Sequence, residues 1–141
     1  MAANILVVDD SGTMRNMIKR TLAMCGLDIG EVYEASNGIE ALARMHEHPV
    51  SVILLDINMP VMNGLKLLSR IHDDERLRHI PVIIASTEGS ETRIRELMAH
   101  GARGYIRKPF RPEQIRDVLT PILGRTDAPT TTLAENDELA F

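Results

Sequence analysis

Three short runs of consecutive apolar residues stand out along the chain, and each ends at a polar side chain. They cover residues 5–8, 52–55 and 82–85. Apolar runs of this length, bounded by turn signals, are typical of strands that are buried on both faces of a parallel sheet. Two further runs, 31–35 and 104–107, mix apolar with charged residues. They predict strands at the edges of the sheet, where one side meets solvent.

Between these strands the apolar residues recur at helical spacing. Ser11 and Asn37 are expected to cap the first two helices, which should end at Gly26 and Pro49. The last helix should end at Gly124. The apolar positions of the five helices, in chain order, are Met14, Met17, Ile18, Leu22 and Cys25; Ile39, Leu42 and Met45; Leu65, Leu68 and Ile71; Ile94, Leu97 and Met98; and Ile115, Val118, Leu119, Ile122 and Leu123.

Strands that alternate with helices predict an α/β fold with a doubly wound, five-stranded parallel sheet. The wholly apolar strands should be central and the mixed ones should lie at the edges. This places the strands in the order 2-1-3-4-5, which is the flavodoxin-like (CheY-like) arrangement. In that arrangement the carboxyl ends of strands 1, 3, 4 and 5 face one crevice, where open α/β sheets bind their ligands.

Composition narrows the class of protein. A chain of 141 residues with 44% hydrophobic and 26% charged residues is typical of one globular domain. We assign residues 1–125 to this domain and residues 126–141 to a mobile acidic tail. The net charge of −4 argues against nucleic acid as a partner. The single cysteine, Cys25, and the lack of a long apolar segment predict a soluble cytoplasmic protein with no membrane partner.

Five polar side chains follow the predicted strands and should meet in the crevice: Asp9, Asp10, Asp56, Ser86 and Lys108. Three carboxylates at close range repel one another unless a cation binds between them. A hard divalent ion with oxygen ligands, above all Mg²⁺, fits this need. The sequence therefore predicts a magnesium site at the carboxyl edge of the sheet.

This set of residues suits the transfer of a phosphoryl group to a carboxylate. Asp56 would attack phosphorus and form an acyl phosphate. The metal site would be formed by Asp10, Asp56, the backbone carbonyl of Asn58 and Asp9. The other phosphoryl oxygens would be contacted by the Ser86 hydroxyl and the Lys108 ammonium. An ionised aspartate needs no general base for this attack.

The same residues resemble the receiver domains of two-component response regulators. The resemblance rests on the pair 9–10, on Asp56 with Met59-Pro60 and Gly64, on Ser86, and on the segment 108–110, and it covers roughly residues 4–124. The segments 10–15 and 104–110 are especially similar to those of chemotaxis-type, CheY-like receivers. Ser86 stands where the family usually has threonine, which keeps the hydroxyl, and Asn63 stands where it often has aspartate.

The resemblance implies that Asp56 takes its phosphoryl group from a histidine kinase. It also implies a cis bond between Lys108 and Pro109, and a switch formed by Ser86 and Tyr105. Phosphorylation adds about two negative charges, which would draw Ser86 inward and let Tyr105 rotate from solvent into the gap. The face made by the fourth helix, the fifth strand and the fifth helix would then change for a downstream target protein.

The resemblance also concerns the lifetime of the phosphorylated form. It implies that Asn58 and Glu88 flank the phosphoryl group and control the access of water to it. The same pair of residue types occurs in CheY-like receivers, so the sequence predicts fast self-dephosphorylation. We expect the chain to gain and lose the phosphoryl group by this self-catalysed chemistry and to have no other enzyme activity.

The leading hypothesis is a stand-alone, monomeric signalling module in chemotaxis or motility, with a flagellar switch component as its target. A phosphorelay intermediate, a phosphate sink and a receiver cut from a larger regulator remain open. A haloacid-dehalogenase-like phosphatase or a nucleotide or flavin binder is the alternative class. The sequence lacks the Asp-x-Asp motif of such a phosphatase, and it lacks the P-loop and the dinucleotide fingerprint of nucleotide binders.

The five histidines carry no predicted site. His46 and His48 are expected on a solvated face, whereas His72, His79 and His100 are dispersed along the sequence.

Overall fold

The computed structural model describes residues 2–56, 64–87 and 91–127. Five strands alternate with five helices along these residues. Their bounds are β1 (Ala3–Val8), α1 (Gly12–Ala23), β2 (Ile29–Ala35), α2 (Gly38–Glu47), β3 (Val52–Leu55), α3 (Gly64–Asp73), β4 (Val82–Ser86), α4 (Glu91–Ala99), β5 (Gly104–Arg107) and α5 (Pro112–Asp127).

The strands form one parallel sheet in the order β2-β1-β3-β4-β5, as the sequence predicts. Every residue of β3 and β4 is buried, whereas β2 and β5 are partly exposed. The prediction of central and edge strands from their composition is thus confirmed. Within the described part of the chain, no helix combines the length and the apolar character needed to cross a bilayer.

The core lies in two layers, one on each face of the sheet. In β1, Ile5 and Val7 point to the layer that includes α1 and α5, and Leu6 and Val8 point to the layer that includes α2, α3 and α4. This alternation follows from the two-residue period of a strand. Because both faces are covered by helices, the central strands are apolar throughout.

Side-chain caps fix the starts of α1 and α2. The Ser11 hydroxyl accepts a hydrogen bond from the Met14 backbone N–H at 3.1 Å, and the Asn37 side chain accepts one from the Glu40 N–H at 2.9 Å. Both caps were predicted from the sequence. The Ser36 backbone N–H in turn donates to the Glu40 carboxylate at 2.8 Å, and this bond lowers the Glu40 pKa.

Two details of the helices differ from the prediction. The α5 helix continues past Gly124 to Asp127, because an internal glycine costs a helix only about 1 kcal/mol. Three of the apolar helix positions, Met17, Ile39 and Met98, are 47%, 59% and 40% exposed. Each of these helices packs against the sheet on one side only. The face that it buries is therefore too narrow to include all of its apolar residues.

Candidate functional site

The register of the sheet brings the acidic residues together. Val8 of β1 is paired with Leu55 of β3, so Asp9 and Asp56 leave neighbouring strands at the same level. The Asp56 N–H donates to the Val8 carbonyl at 2.9 Å, which extends this ladder by one residue. On the far side of β3, Ser86 is the last residue of β4. The predicted crevice is therefore formed by the carboxyl ends of strands that are neighbours in the sheet.

Three carboxylates and one ammonium form the centre of the crevice. Oxygen atoms of Asp9, Asp10 and Asp56 lie within 4.8 Å of one another. Asp9 and Asp56 are buried, with 2% and 8% of their surface exposed, whereas Asp10 is exposed. The Lys108 ammonium, itself buried, donates a hydrogen bond to Asp9 Oδ2 and lies 3.9 Å from Asp56 Oδ2. Buried charges need such partners.

One ammonium does not balance three carboxylates, so the cluster has a formal charge of −2 (three negative, one positive). Asp9 already accepts from Lys108 through Oδ2 and from the Ser11 N–H through Oδ1, at 2.9 Å for the latter. A cation added to this cluster would be coordinated by oxygens alone. Such a donor set fits a hard divalent ion such as Mg²⁺ and not a thiol- or imidazole-binding metal.

The backbone holds Lys108 in place beside the carboxylates. Its N–H donates to the Ser86 carbonyl at 3.0 Å, which ties the end of β5 to the end of β4. The bond between Lys108 and Pro109 is cis, as the family resemblance implied. Phe110 follows and is buried in the layer of α1 and α5. The lysine side chain points into the crevice, toward Asp9 and Asp56.

A second group of charged side chains lies beside the loop that follows β1. The sequence predicted no role for it. The Arg15 guanidinium donates to the Asp9 carbonyl oxygen at 2.6 Å and to Glu34 Oε1 at 2.8 Å. Lys19 donates to Glu34 Oε2 at 2.9 Å. The hydrogen bonds from Lys19 and Arg15 lower the Glu34 pKa. The only signal in the sequence is the spacing of Arg15 and Lys19, which places both on one face of α1.

We expect Glu34→Gln to weaken folding by about 0.5–1 kcal/mol at pH 7, a small value because solvent screens this half-exposed group. The folded-state pKa of Glu34 is below the ordinary value of 4.5. Its stabilisation is therefore present above pH 4.5 and is lost as the pH falls through the folded-state value. Urea unfolding at pH 7 and pH 3 measures the difference between variant and wild type.

Glu31→Gln is the matched control, because Glu31 is exposed on the same strand. It should leave the unfolding free energy unchanged at both pH values. A Glu34→Gln deficit of equal size at pH 7 and pH 3 would contradict the assigned cause.

Ser86 and Tyr105 lie on neighbouring strands, offset by two residues, since Tyr105 of β5 is paired with Ile84 of β4. Ser86 is fully buried, and the Tyr105 hydroxyl lies 3.5 Å from the Ser86 carbonyl oxygen, at the long limit of a hydrogen bond. Tyr105 is half-buried. The structure thus places the two residues of the predicted switch next to each other.

The structure brings together Asp9, Asp10, Asp56 and Lys108, with Ser86 at the same edge of the sheet. Two predicted residues, Asn58 and Glu88, lie outside the described residues, as does the segment 128–141 of the predicted tail. Their predicted roles stay predictions.

The comparisons with known proteins agree with this geometry. Residues 5–120 match the family model described as the response regulator receiver domain. The chain belongs to the response regulator receiver family. It is 40% identical to chemotaxis protein CheY1 of Helicobacter pylori over 124 residues, which is 87% of this chain and 98% of that protein.

Solved receiver structures show the same fold. The crystal structure of the chemotaxis protein CheY4 of Vibrio cholerae superimposes with a TM-score of 0.77 at 36% identity, over 87% of this chain and all of that one. The receiver domain of the sensor histidine kinase PA1611 of Pseudomonas aeruginosa superimposes with a TM-score of 0.76 at 23% identity, over 88% and 99% of the two chains. That domain was solved with a magnesium ion in its active site cleft.

Receiver domains are signalling modules of two-component systems, and the response regulator hypothesis is therefore confirmed. Relatives of this receiver in Helicobacter pylori and Pseudomonas aeruginosa are chemotaxis CheY proteins. The phosphatase and nucleotide-binding alternatives are not supported.

Proposed function

We propose that this receiver is a CheY-type response regulator of chemotaxis whose Asp56 accepts a phosphoryl group from a histidine kinase. The observation that carries the proposal is the position of Asp56. Its carboxylate is buried at the carboxyl end of β3, 3.9 Å from the Lys108 ammonium and within a group of three carboxylates. Likeness to chemotaxis proteins over nearly their whole length supports the biological role.

In the proposed reaction an Asp56 carboxylate oxygen attacks the phosphorus of a phosphohistidine. The O–P bond forms as the N–P bond breaks, and the electron pair of that bond returns to the imidazole of the kinase. Lys108 holds a positive charge beside the position where the phosphoryl oxygens arrive. Ser86, at the end of the neighbouring strand, would offer its hydroxyl to one of these oxygens.

Asp10 and Asp56, with the backbone carbonyl of Asn58, would hold Mg²⁺, and Asp9 would complete the acidic group. When bound, the ion supplies positive charge that neutralises the phosphoryl oxygens. The exposure of Asp10 leaves one side of the cluster open to water and to the phosphodonor. Asp9 is already engaged by Lys108 and Ser11, and we assign it the role of orienting the ammonium.

We expect Asp10→Asn to raise the dissociation constant for Mg²⁺ at least tenfold, because it removes one charged ligand from the cluster. Isothermal titration of the full chain with MgCl₂ measures this constant. Asp28→Asn changes an exposed aspartate away from the crevice and should bind Mg²⁺ as the wild type does. Equal affinity of Asp10→Asn and wild type would remove Asp10 from the ligand set.

The output would run through the face made by α4, β5 and α5. The phosphoryl group would draw the Ser86 side chain toward itself, and the Tyr105 ring would move further into the space between β4 and α4. The half-buried ring beside Ser86 supports this path. The new face would bind a flagellar switch component, and the receiver would act as a monomer comprising residues 1–125, with residues 126–141 as a tail.

The phosphorylated form should be short-lived, with Asn58 and Glu88 controlling water access. We propose no enzyme activity beyond this self-catalysed gain and loss of the phosphoryl group.

Phosphotransfer from a chemotaxis histidine kinase tests the proposal. The kinase is labelled on its histidine, freed of nucleotide and mixed with this chain and Mg²⁺. We expect label to move to the receiver within seconds and then to be released as inorganic phosphate. Label that stays on the kinase, while a known CheY accepts it in parallel, would contradict the proposed function.

A further inference from the structure

A cleft of about 280 Å³ opens at the end of the sheet opposite to Asp56. It is lined by the end of α2, by the residues that precede β3 and by the loop between α3 and β4. Ser51, in its wall, is five residues before Asp56. At the rise of a strand these residues are about 16 Å apart. The cleft is therefore separate from the phosphoryl-accepting crevice.

Hydrogen-bonding side chains form the rim of this cleft. His46 and His48 come from the end of α2, and Arg76 and His79 come from the loop after α3. Three of the five histidines of the chain thus line one cleft. His46 is exposed, as predicted, and His79, which was predicted to be apart from it, lies on the same rim. The fold brings them together because α2 and α3 are neighbours on one face of the sheet.

Contacts within the rim orient two of the imidazoles. Arg76 Nη2 lies 3.0 Å from His46 Nδ1. A guanidinium can only donate, so this nitrogen accepts, and the ring's N–H is at Nε2, 3.3 Å from Asp74 Oδ2. The ring of His48 stacks on Tyr33, with centroids 4.3 Å apart and planes 12° from parallel.

The rim also carries a fixed positive charge. Arg76 uses one N–H on His46, and a guanidinium has five. Two of the acidic groups beside the rim have partners of their own: Asp74 faces His46 and accepts from the Arg76 backbone N–H, and Glu47 lies 3.4 Å from Arg44. The remaining Arg76 donors are therefore available at the mouth of the cleft.

The floor of the cleft is apolar. It is formed by Met45, Leu77 and Ile80, which are buried core residues, and by the half-buried Val50. An apolar floor below a few convergent polar groups is typical of small-molecule sites, although about 280 Å³ is at the lower end of their size range. The cleft suits a compact ligand with one polar group.

The chemistry of the rim decides the charge of that ligand. Among the described residues, the one group of three or more potential metal ligands within 4.8 Å is the acidic cluster of the crevice. The histidines of the cleft thus form no such group as they are arranged. A guanidinium with free donors, flanked by imidazoles, is suited to an oxyanion.

We propose that this cleft binds a small organic anion, with its oxyanion on Arg76, beside the histidines, and its apolar body on the floor of Met45, Leu77 and Ile80. The site is independent of phosphorylation at Asp56 and adds a second ligand-binding function to the receiver. Arg76 supplies the charge contact, and burial of the apolar body supplies the rest of the affinity.

Three matched probes test the proposal on the full chain: benzoate, acetate and benzyl alcohol. Acetate keeps the carboxylate without the ring, and benzyl alcohol keeps the ring without the charge. The side-chain NMR signals of all five histidines are followed during titration. We expect benzoate to shift His46, His48 and His79 saturably, with His72 and His100 unmoved. We expect acetate and benzyl alcohol to bind at least tenfold more weakly.

The matched variants are Arg76→Gln and Arg78→Gln, since Arg78 is exposed on the same loop and does not line the cleft. Arg76→Gln should weaken benzoate binding at least tenfold, and Arg78→Gln should leave it unchanged. The absence of a saturable shift in the wild type would overturn the proposal. Equal binding of the three probes, or equal losses in the two variants, would overturn it as well.

Discussion

Replacing Asp56 by asparagine should abolish phosphoryl acceptance, with a fall of at least about 10³-fold in the rate of labelling. The amide is nearly isosteric with the carboxylate but carries no nucleophilic oxyanion, and an acyl phosphate cannot form on it. The neighbouring carboxylates, Asp9 and Asp10, should not replace it. Asp9 is engaged by the Lys108 ammonium and the Ser11 N–H, and Asp10 is exposed at the edge of the cluster.

Labelling by a small phosphodonor in the presence of Mg²⁺ measures this loss. Asp73→Asn, at an exposed position at the end of α3, is the matched control and should be labelled at the wild-type rate. The Asp56→Asn variant should remain folded and be at least as stable as wild type, because it removes one of three mutually repelling carboxylates. Label retained in a folded Asp56→Asn chain would show that another side chain is the acceptor.

Replacing Lys108 by methionine should have two large effects at neutral pH. It removes the ammonium that partners the buried carboxylates of Asp9 and Asp56. Removing one partner of a buried ion pair lowers the free energy of unfolding by about 3–5 kcal/mol, because the other charge is left buried without compensation. The rate of phosphorylation should also fall about 10²-fold, since a charge placed near the phosphoryl oxygens is lost.

Urea unfolding and single-turnover phosphorylation separate these effects. Arg70→Met changes an exposed arginine on α3 and should alter neither quantity. In the double variant Asp9→Asn/Lys108→Met part of the lost stability should return, because one of the two buried carboxylates that lost the ammonium is gone. Phosphorylation should stay slow. Recovery of the rate together with the stability would mean that Lys108 acts only through folding.

Much of the crevice could be predicted because it depends on strand ends. Asp9, Asp56 and Ser86 each follow or end an apolar run, and the order of the strands followed from which runs carried charges. Parallel strands place such residues at one edge whatever the details of packing. The position of Lys108 followed in the same way from the short strand β5.

The contacts that depend on helix packing could not be predicted. Arg15 contacts Glu34 across 19 residues of sequence, and the rotation of α1 over β2 determines this contact. The same rotation leaves Met17 exposed although its spacing fits an inward stripe. The cleft of His46, His48 and His79 needs two loops to meet at the far end of the sheet, and neither loop has a spacing that indicates this.

The central claim is that the carboxylate of Asp56 becomes an acyl phosphate, and borohydride trapping tests it most directly. Borohydride reduces an aspartyl phosphate to homoserine, which survives peptide sequencing by mass spectrometry. The wild-type chain is treated with a small phosphodonor and Mg²⁺ and then reduced. The account predicts homoserine at position 56 alone, and none when Mg²⁺ is removed by a chelator. Homoserine at position 9 or 10, or at no position in a chain shown to be folded, would contradict it.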